Sequence, residues 1–109
     1  MSAKANGQEG LDSRNDVVTD EKLDKYFDVT RRALEAVAAA SWDESRRDLG
    51  EDFLDMAKRY FSDAKHFREK GDCVLAFGAL NYAHAWLDAG ARAGLFLVSD
   101  DSLFAADPK

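Results

Sequence analysis

The sequence predicts an all-α protein, an antiparallel three-helix bundle preceded by a disordered N-terminal arm. Two long helical patterns meet at Gly71 and Asp72 with nothing else between them, which is typical of a helical hairpin. A third helical pattern precedes the hairpin. The length of 109 residues fits one domain with a single small core.

The first helix is predicted over residues 19–40. Its apolar and small residues recur at three- and four-residue spacing, which places them on one face. They are Leu23, Tyr26, Phe27, Thr30, Leu34, Val37 and Ala38. Thr19 or Asp20 suits the N-cap, because a short oxygen-bearing side chain accepts a hydrogen bond from an amide of the first turn. Residues 41–50 are interpreted as a connection, in which Trp42 is expected to close one end of the core.

The second helix is predicted over residues 51–70 and the third over 72–98, followed by a short tail, residues 99–109. Gly71 can adopt the left-handed conformation that ends a helix, and Asp72 can cap the next one. The apolar stripe of the third helix is wider than one neighbour requires, so contact with both other helices is expected. The expected core residues of the hairpin are Phe53, Met56, Tyr60, Phe67, Leu80, Tyr82, Trp86 and Leu87.

Three glycines fall inside the predicted third helix. A glycine inside a helix is unfavourable, so Gly78, Gly90 and Gly94 require a reason. Close packing of a neighbouring helix is the favoured reason, and a seat for a ligand or a subunit is the alternative.

Composition restricts the classes of function. The formal net charge of −6 opposes association with phosphate backbones, so nucleic-acid binding is not expected. No run approaches the roughly 20 apolar residues of a membrane span, and the lone Cys73 suits a reducing compartment, so a cytoplasmic location is expected. The polar residues 1–18 predict a flexible arm.

Asp outnumbers Glu by 15 to 6, which favours a halophilic source, with ordinary acidic solubility as the alternative.

No set of residues has the spacing of a catalytic or metal site, so neither enzymatic activity nor a cofactor or metal is expected. Cys73, His66 and His84 show none of the paired spacings typical of zinc ligands. Arg59 and His66, with six residues between them, loosely match the spacing of HEPN-type ribonucleases. An RNA-associated or RNA-cleaving protein is therefore the alternative hypothesis, although a solvated charged face is the favoured interpretation of this pair.

The leading functional hypothesis is a non-catalytic interaction module. On the third helix Asn81, His84, Asp88 and Arg92 form a polar stripe beside Phe77, with two pairs at i,i+4 spacing. Apolar residues beside fixed polar groups are typical of interfaces, so the stripe is predicted to bind another protein or a second copy of the chain. A merely solvated stripe is the alternative interpretation.

A resemblance to a known family covers about half of the chain. The chain resembles the archaeal family catalogued as domain of unknown function 357, whose members look like small three-helix bundles and for which no activity is established. A haloarchaeal member would suit the surplus of Asp. The residues that carry the resemblance are Met56-Ala57-Lys58-Arg59-Tyr60, Asp63-Ala64, Phe67, Gly71-Asp72, Tyr82-Ala83, Trp86-Leu87-Asp88-Ala89-Gly90, Arg92 and Gly94-Leu95-Phe96.

Overall fold

The computed structural model describes residues 16–100 and 102–104. The all-α class is confirmed, since the described residues form helices and no strand. The elements are α1 (Asp20–Ala39), a short 3₁₀ helix (Glu44–Arg46), α2 (Arg47–Glu69) and α3 (Cys73–Arg92). The arm predicted over residues 1–18 lies outside the described residues, except for its last three.

The helices α2 and α3 form an antiparallel hairpin. Phe53 near the start of α2 packs edge-on against Trp86 late in α3, with ring centroids 5.0 Å apart. Further along α2, Tyr60 stacks on Tyr82 at 5.1 Å. The partner numbers fall as the residue numbers along α2 rise, so the two helices run in opposite directions.

The helix α1 runs in the same direction as α3. The ring of Tyr26 lies 5.0 Å from that of Phe77, and one turn later the hydroxyl of Thr30 lies 3.1 Å from a ring nitrogen of His84. The numbers in both helices rise together. The bundle therefore has an up-down-up arrangement, in which α2 is antiparallel to both neighbours.

Local hydrogen bonds set the turn between α2 and α3. Gly71 has a φ of 81°, and the amide of Asp72 donates to the carbonyl of Phe67 at 2.9 Å. This 6→1 bond is the signature of a Schellman turn. The side chain of Asp72 then accepts from the amide of Leu75 at 3.0 Å and caps α3. The same chemistry starts α1, where Thr19 accepts from the amide of Lys22 at 3.0 Å.

The third helix is shorter than predicted, because it ends at Arg92 and not at residue 98. Gly94 has a φ of 78°, and the amide of Leu95 donates to the carbonyl of Gly90 at 2.9 Å. The chain therefore leaves α3 by the same type of turn that ends α2. The second helix, in contrast, begins four residues earlier than predicted, at Arg47, directly after the 3₁₀ turn.

The segment after α3 packs on the connection between α1 and α2. Trp42 and Phe96 form an isolated antiparallel bridge, in which the amide of Leu97 donates to the carbonyl of Ser41 at 2.9 Å. The rings of Trp42 and Phe96 lie 5.0 Å apart, and the Trp42 Nε1 donates to the carbonyl of Val37. Trp42 therefore covers the end of the core at which α1 finishes.

Small side chains dominate the buried surface between the helices. Alanines allow helix axes to approach closely, and larger rings then have no room at the centre of the contact. The fully buried alanines are Ala33, Ala57, Ala64, Ala76 and Ala83. Larger buried residues close the two ends of the bundle, Leu23 and Leu80 at one end and Val37, Leu87, Leu95 and Phe96 at the other.

The packing corrects part of the predicted core. Leu80 and Leu87 are fully buried, and five of the other predicted core residues are half-buried: Phe53, Met56, Tyr60, Phe67 and Trp86. Tyr82 does not belong to the core, because 61% of it is exposed. Its ring lies outside the alanine-lined contact, where it stacks on Tyr60.

Candidate functional site

The predicted polar stripe of α3 does not form one continuous outward surface. Phe77, His84 and Asp88 are half-buried on the side of α3 that faces α1, whereas Asn81 and Arg92 are exposed. The helical angle of each residue was predictable, but the neighbour that covers it was not. The stripe is thus divided between an interhelical cleft and the solvent.

His84 connects three segments of the chain. Its Nδ1 lies 3.1 Å from the hydroxyl of Thr30, which is 2% exposed, and its Nε2 lies 2.5 Å from the carbonyl oxygen of Leu103. With the proton on Nε2, the ring donates to that carbonyl and accepts from the hydroxyl. Both ring nitrogens are therefore occupied by the protein, and this arrangement ties α1 and the C-terminal segment to α3.

A cleft of about 240 Å³ lies beside His84, between α1 and α3. Its residues combine one carboxylate, one amide, one imidazole and two hydroxyl groups with apolar side chains. They are Tyr26, Val29, Thr30, Asn81, His84, Ala85 and Asp88. The carboxylate of Asp88 lies 3.8 Å from Nε2 of His84. The cleft offers hydrogen-bonding groups, but His84 is already bonded on both sides.

The outward side of α3 is exposed and uncharged. Val74, Leu75 and Tyr82 are 70%, 50% and 61% exposed. From Cys73 to Leu87 the helix contains no Asp, Glu, Lys or Arg. We call this surface the α3 outer face and define it by Val74, Leu75, Gly78, Asn81, Tyr82, Ala85 and Ala89. Sequence reasoning missed it, although the uncharged run of α3 was a visible signal.

The groove between α1 and α2 has a different character. Phe27 and Phe61 lie on its floor with centroids 5.7 Å apart. A cavity of about 330 Å³ adjoins both rings, and one of about 280 Å³ adjoins Phe27. Charged side chains form the rim, where Arg68 contacts Asp24 at 2.6 Å and lies over the ring of Phe27. Charges of both signs therefore meet at this groove, and its arginines Arg31 and Arg68 are both paired with carboxylates of the protein.

Arg59 and His66 lie on the exposed side of α2. Arg59 donates to Asp55 at 2.7 Å, and this contact raises the pKa of the guanidinium further above its already high value. The ring of His66 lies 6.3 Å from that of its neighbour Phe67. In the described part of the chain, nothing favours the RNA-cleaving hypothesis.

The described residues contain neither a cluster of metal ligands nor a membrane-spanning helix. Among residues 16–100 and 102–104, His, Cys, Asp and Glu side chains do not gather into groups of three that could hold a metal ion. Within the same residues, every helix is too short or too polar to cross a membrane.

Comparison with known proteins gives a family but no activity. No curated protein and no solved structure matches the chain. A family model described as a protein of unknown function, DUF357, matches residues 25–96, which run from early α1 to the buried Phe96. The match covers most of the chain, with most of α1 and all of α2 and α3, so the protein belongs to the DUF357 family.

Proposed function

We propose that the protein is a non-catalytic interaction module that binds a protein partner on the α3 outer face. One observation carries this proposal. One third of the residues of the chain are charged, yet an exposed helix face is uncharged over four turns. Apolar surface of this kind is typical of protein–protein contacts.

The exposed side chains of the face supply a driving force for binding. Val74, Leu75 and Tyr82 stand in water, and removing apolar surface from water releases about 25 cal/mol per Å². Tyrosine is also among the residues enriched in interfaces. Because Tyr82 is held against Tyr60 by stacking, it loses little conformational freedom when a partner covers it.

Polar groups at the margin of the face can orient a partner. Asn81 is exposed at the edge of the face nearest α1, and Arg92 is exposed beyond its carboxyl end. Asp88 lies at the adjoining cleft between α1 and α3. These three members of the predicted stripe therefore fit the rim of an interface, while the apolar residues of the face form its centre.

A cytoplasmic setting is part of this proposal. Cys73 is a free thiol, which suits a reducing compartment. The surplus of aspartate suits a protein that stays hydrated in concentrated salt. Both points concern the cellular environment of the protein, and neither bears on which face binds the partner.

Affinity capture with matched variants tests the proposal. The tagged full chain is compared with Ala85→Glu, which places a charge in the centre of the face, and with Ala38→Glu on exposed α1. The expected result is loss of bound protein with Ala85→Glu and retention with Ala38→Glu, while both variants keep the helical circular dichroism of the parent. Identical captured proteins for all three chains would contradict the proposed face.

A further inference from the structure

We infer that the partner on the α3 outer face is a second copy of the chain, paired through antiparallel α3 helices. This inference rests on the proposed function, because it names the occupant of the same face. Three features of the face support it: its lack of charge, the spacing of its residues and its area.

Charge favours this face over the other surfaces for self-association. The chain carries a formal net charge of −6, so two copies repel each other at most orientations. The exposed sides of α1 and α2 carry many of the charges, including Asp24, Asp28, Asp52 and Asp55. The α3 outer face lacks acidic residues, so two copies can approach there without burying like charges.

The spacing on the face matches a helix-pairing seam. Along the face, residues recur at intervals of three and four positions in alternation, which is the spacing of a coiled-coil seam. The residues of the face with this spacing are Leu75, Gly78, Tyr82, Ala85 and Ala89, and Arg92 continues the spacing at the end of α3. Four of the six are small or apolar without branching at Cβ, so the backbone of a second helix can approach closely.

The seam favours the antiparallel orientation. With the two-fold axis between residues 83 and 84, the bulky Tyr82 of one copy shares a layer with the small Ala85 of the other. The two Arg92 side chains then lie about 26 Å apart along the helix axes. Parallel pairing would instead place Tyr82 beside Tyr82 and Arg92 beside Arg92, which is less favourable in both volume and charge.

The size of the face predicts a weak dimer. Sixteen residues of α3, 74–89, extend about 24 Å, and one side of such a helix offers on the order of 500 Å² per copy. The total of about 1,000 Å² lies at the lower limit of specific interfaces, so we expect dissociation in the micromolar range. Salt screens the mutual repulsion of the acidic copies, so the dimer should become tighter as ionic strength rises.

Sedimentation velocity of the full chain over a range of concentrations tests the occupant. The parent and Ala38→Glu are expected to shift from monomer to dimer, at lower concentration in 1 M than in 0.15 M salt, whereas Ala85→Glu stays monomeric in both. A parent that is monomeric at every concentration, or a dimer that survives Ala85→Glu, would overturn the inference.

Distance measurement between spin labels tests the orientation. A label is attached to Ala93→Cys at the exposed end of α3, in a chain whose native thiol is removed by Cys73→Ser. The antiparallel dimer predicts a separation of roughly 30 Å between labelled backbones. A separation of roughly 10 Å, as in a parallel pair, would overturn the proposed pairing.

The two proposals can fail separately. A monomeric parent that still captures a different protein, in a manner sensitive to Ala85→Glu, rejects the second copy and leaves the interaction module standing. A monomeric parent whose captured proteins do not depend on Ala85 rejects both.

Discussion

Phe96 packs directly against Gly90, and a β-carbon at residue 90 would overlap three carbons of its ring, of which even the farthest would be only 3.1 Å away. Phe96 is 1% exposed, and Trp42 contacts it from the connection between α1 and α2. The early end of α3 makes this contact possible, because the turn at Gly94 brings the chain back across the helix. The turn that ends α3 therefore also places Phe96 at the end of the core that Trp42 covers.

Replacing Gly90 by alanine should destabilise the protein. Overpacking of a filled core costs about 1–3 kcal/mol, which exceeds the gain in helix propensity that alanine brings. Urea unfolding followed by tryptophan fluorescence measures the difference in free energy.

Gly78→Ala provides the matched control for this prediction. Gly78 also lies in α3, but a β-carbon there meets nothing within 4 Å. Alanine should therefore raise the free energy of unfolding by up to about 1 kcal/mol. Equal effects at the two positions would refute the close contact between Gly90 and Phe96.

Replacing Gly71 by valine should destabilise the hairpin through backbone conformation alone. The position has a positive φ and open space around it, so no steric overlap adds to the cost. The left-handed conformation disfavours a β-branched residue by about 1 kcal/mol or more. Thermal unfolding measures the loss, and Gly71→Asn should lose less because asparagine tolerates this conformation. Similar losses for valine and asparagine would argue against the left-handed turn.

His84→Phe should weaken the attachment of α1 and the C-terminal segment to α3. The change leaves the hydroxyl of Thr30 and the carbonyl of Leu103 without their imidazole partner, at a cost of about 1–3 kcal/mol. Thr30→Val in the same background removes one of these polar groups and should recover part of the loss. A double-mutant cycle of chemical unfolding measures the coupling, and strictly additive effects would contradict a direct bond between Thr30 and His84.

Two aspartates should titrate below their ordinary range. Hydrogen bonds from Ser45 and Arg46 lower the pKa of Asp43, and a bond from Ser102 lowers the pKa of Asp100. Because the folded pKa values are depressed, their contribution to stability is present above the unfolded value of about 3.9. It is lost as pH falls through the lower folded values. Carboxyl chemical shifts in NMR follow both titrations.

Ser45→Ala serves as an internal control for the titration. It should raise the pKa of Asp43 toward the ordinary range while the pKa of Asp100 stays low. Movement of both midpoints together would indicate a general charge effect and not the local hydrogen bond.

The features that sequence predicted well depend on contacts between residues close in the chain. Thr19 and Asp72 each cap a helix by accepting a hydrogen bond from the amide three residues further along the chain. Gly71 has the left-handed conformation that its missing β-carbon permits. The class and order of the helices likewise follow from periodicity, which needs no knowledge of the neighbours. This local information was sufficient for the all-α bundle.

The features that sequence did not predict depend on how the helices approach each other. Gly94 was predicted to be a packing position inside α3. It instead lies in the turn that ends the helix, and this turn lets Phe96 pack against Gly90. Alanines bring α2 and α3 close enough to leave Tyr82 outside the core. Because periodicity gives a residue's angle and not its neighbour, the side of α3 that faces α1 was interpreted as outward.

Photo-crosslinking from position 82 in living cells tests the binding role of the α3 outer face most directly. A benzophenone amino acid replaces Tyr82 on the face, and in a control chain it replaces the exposed Ser62 of α2. The account predicts covalent adducts with protein, including the chain itself, from position 82 and few from position 62. Equal yields from the two positions, or none from position 82, would contradict it.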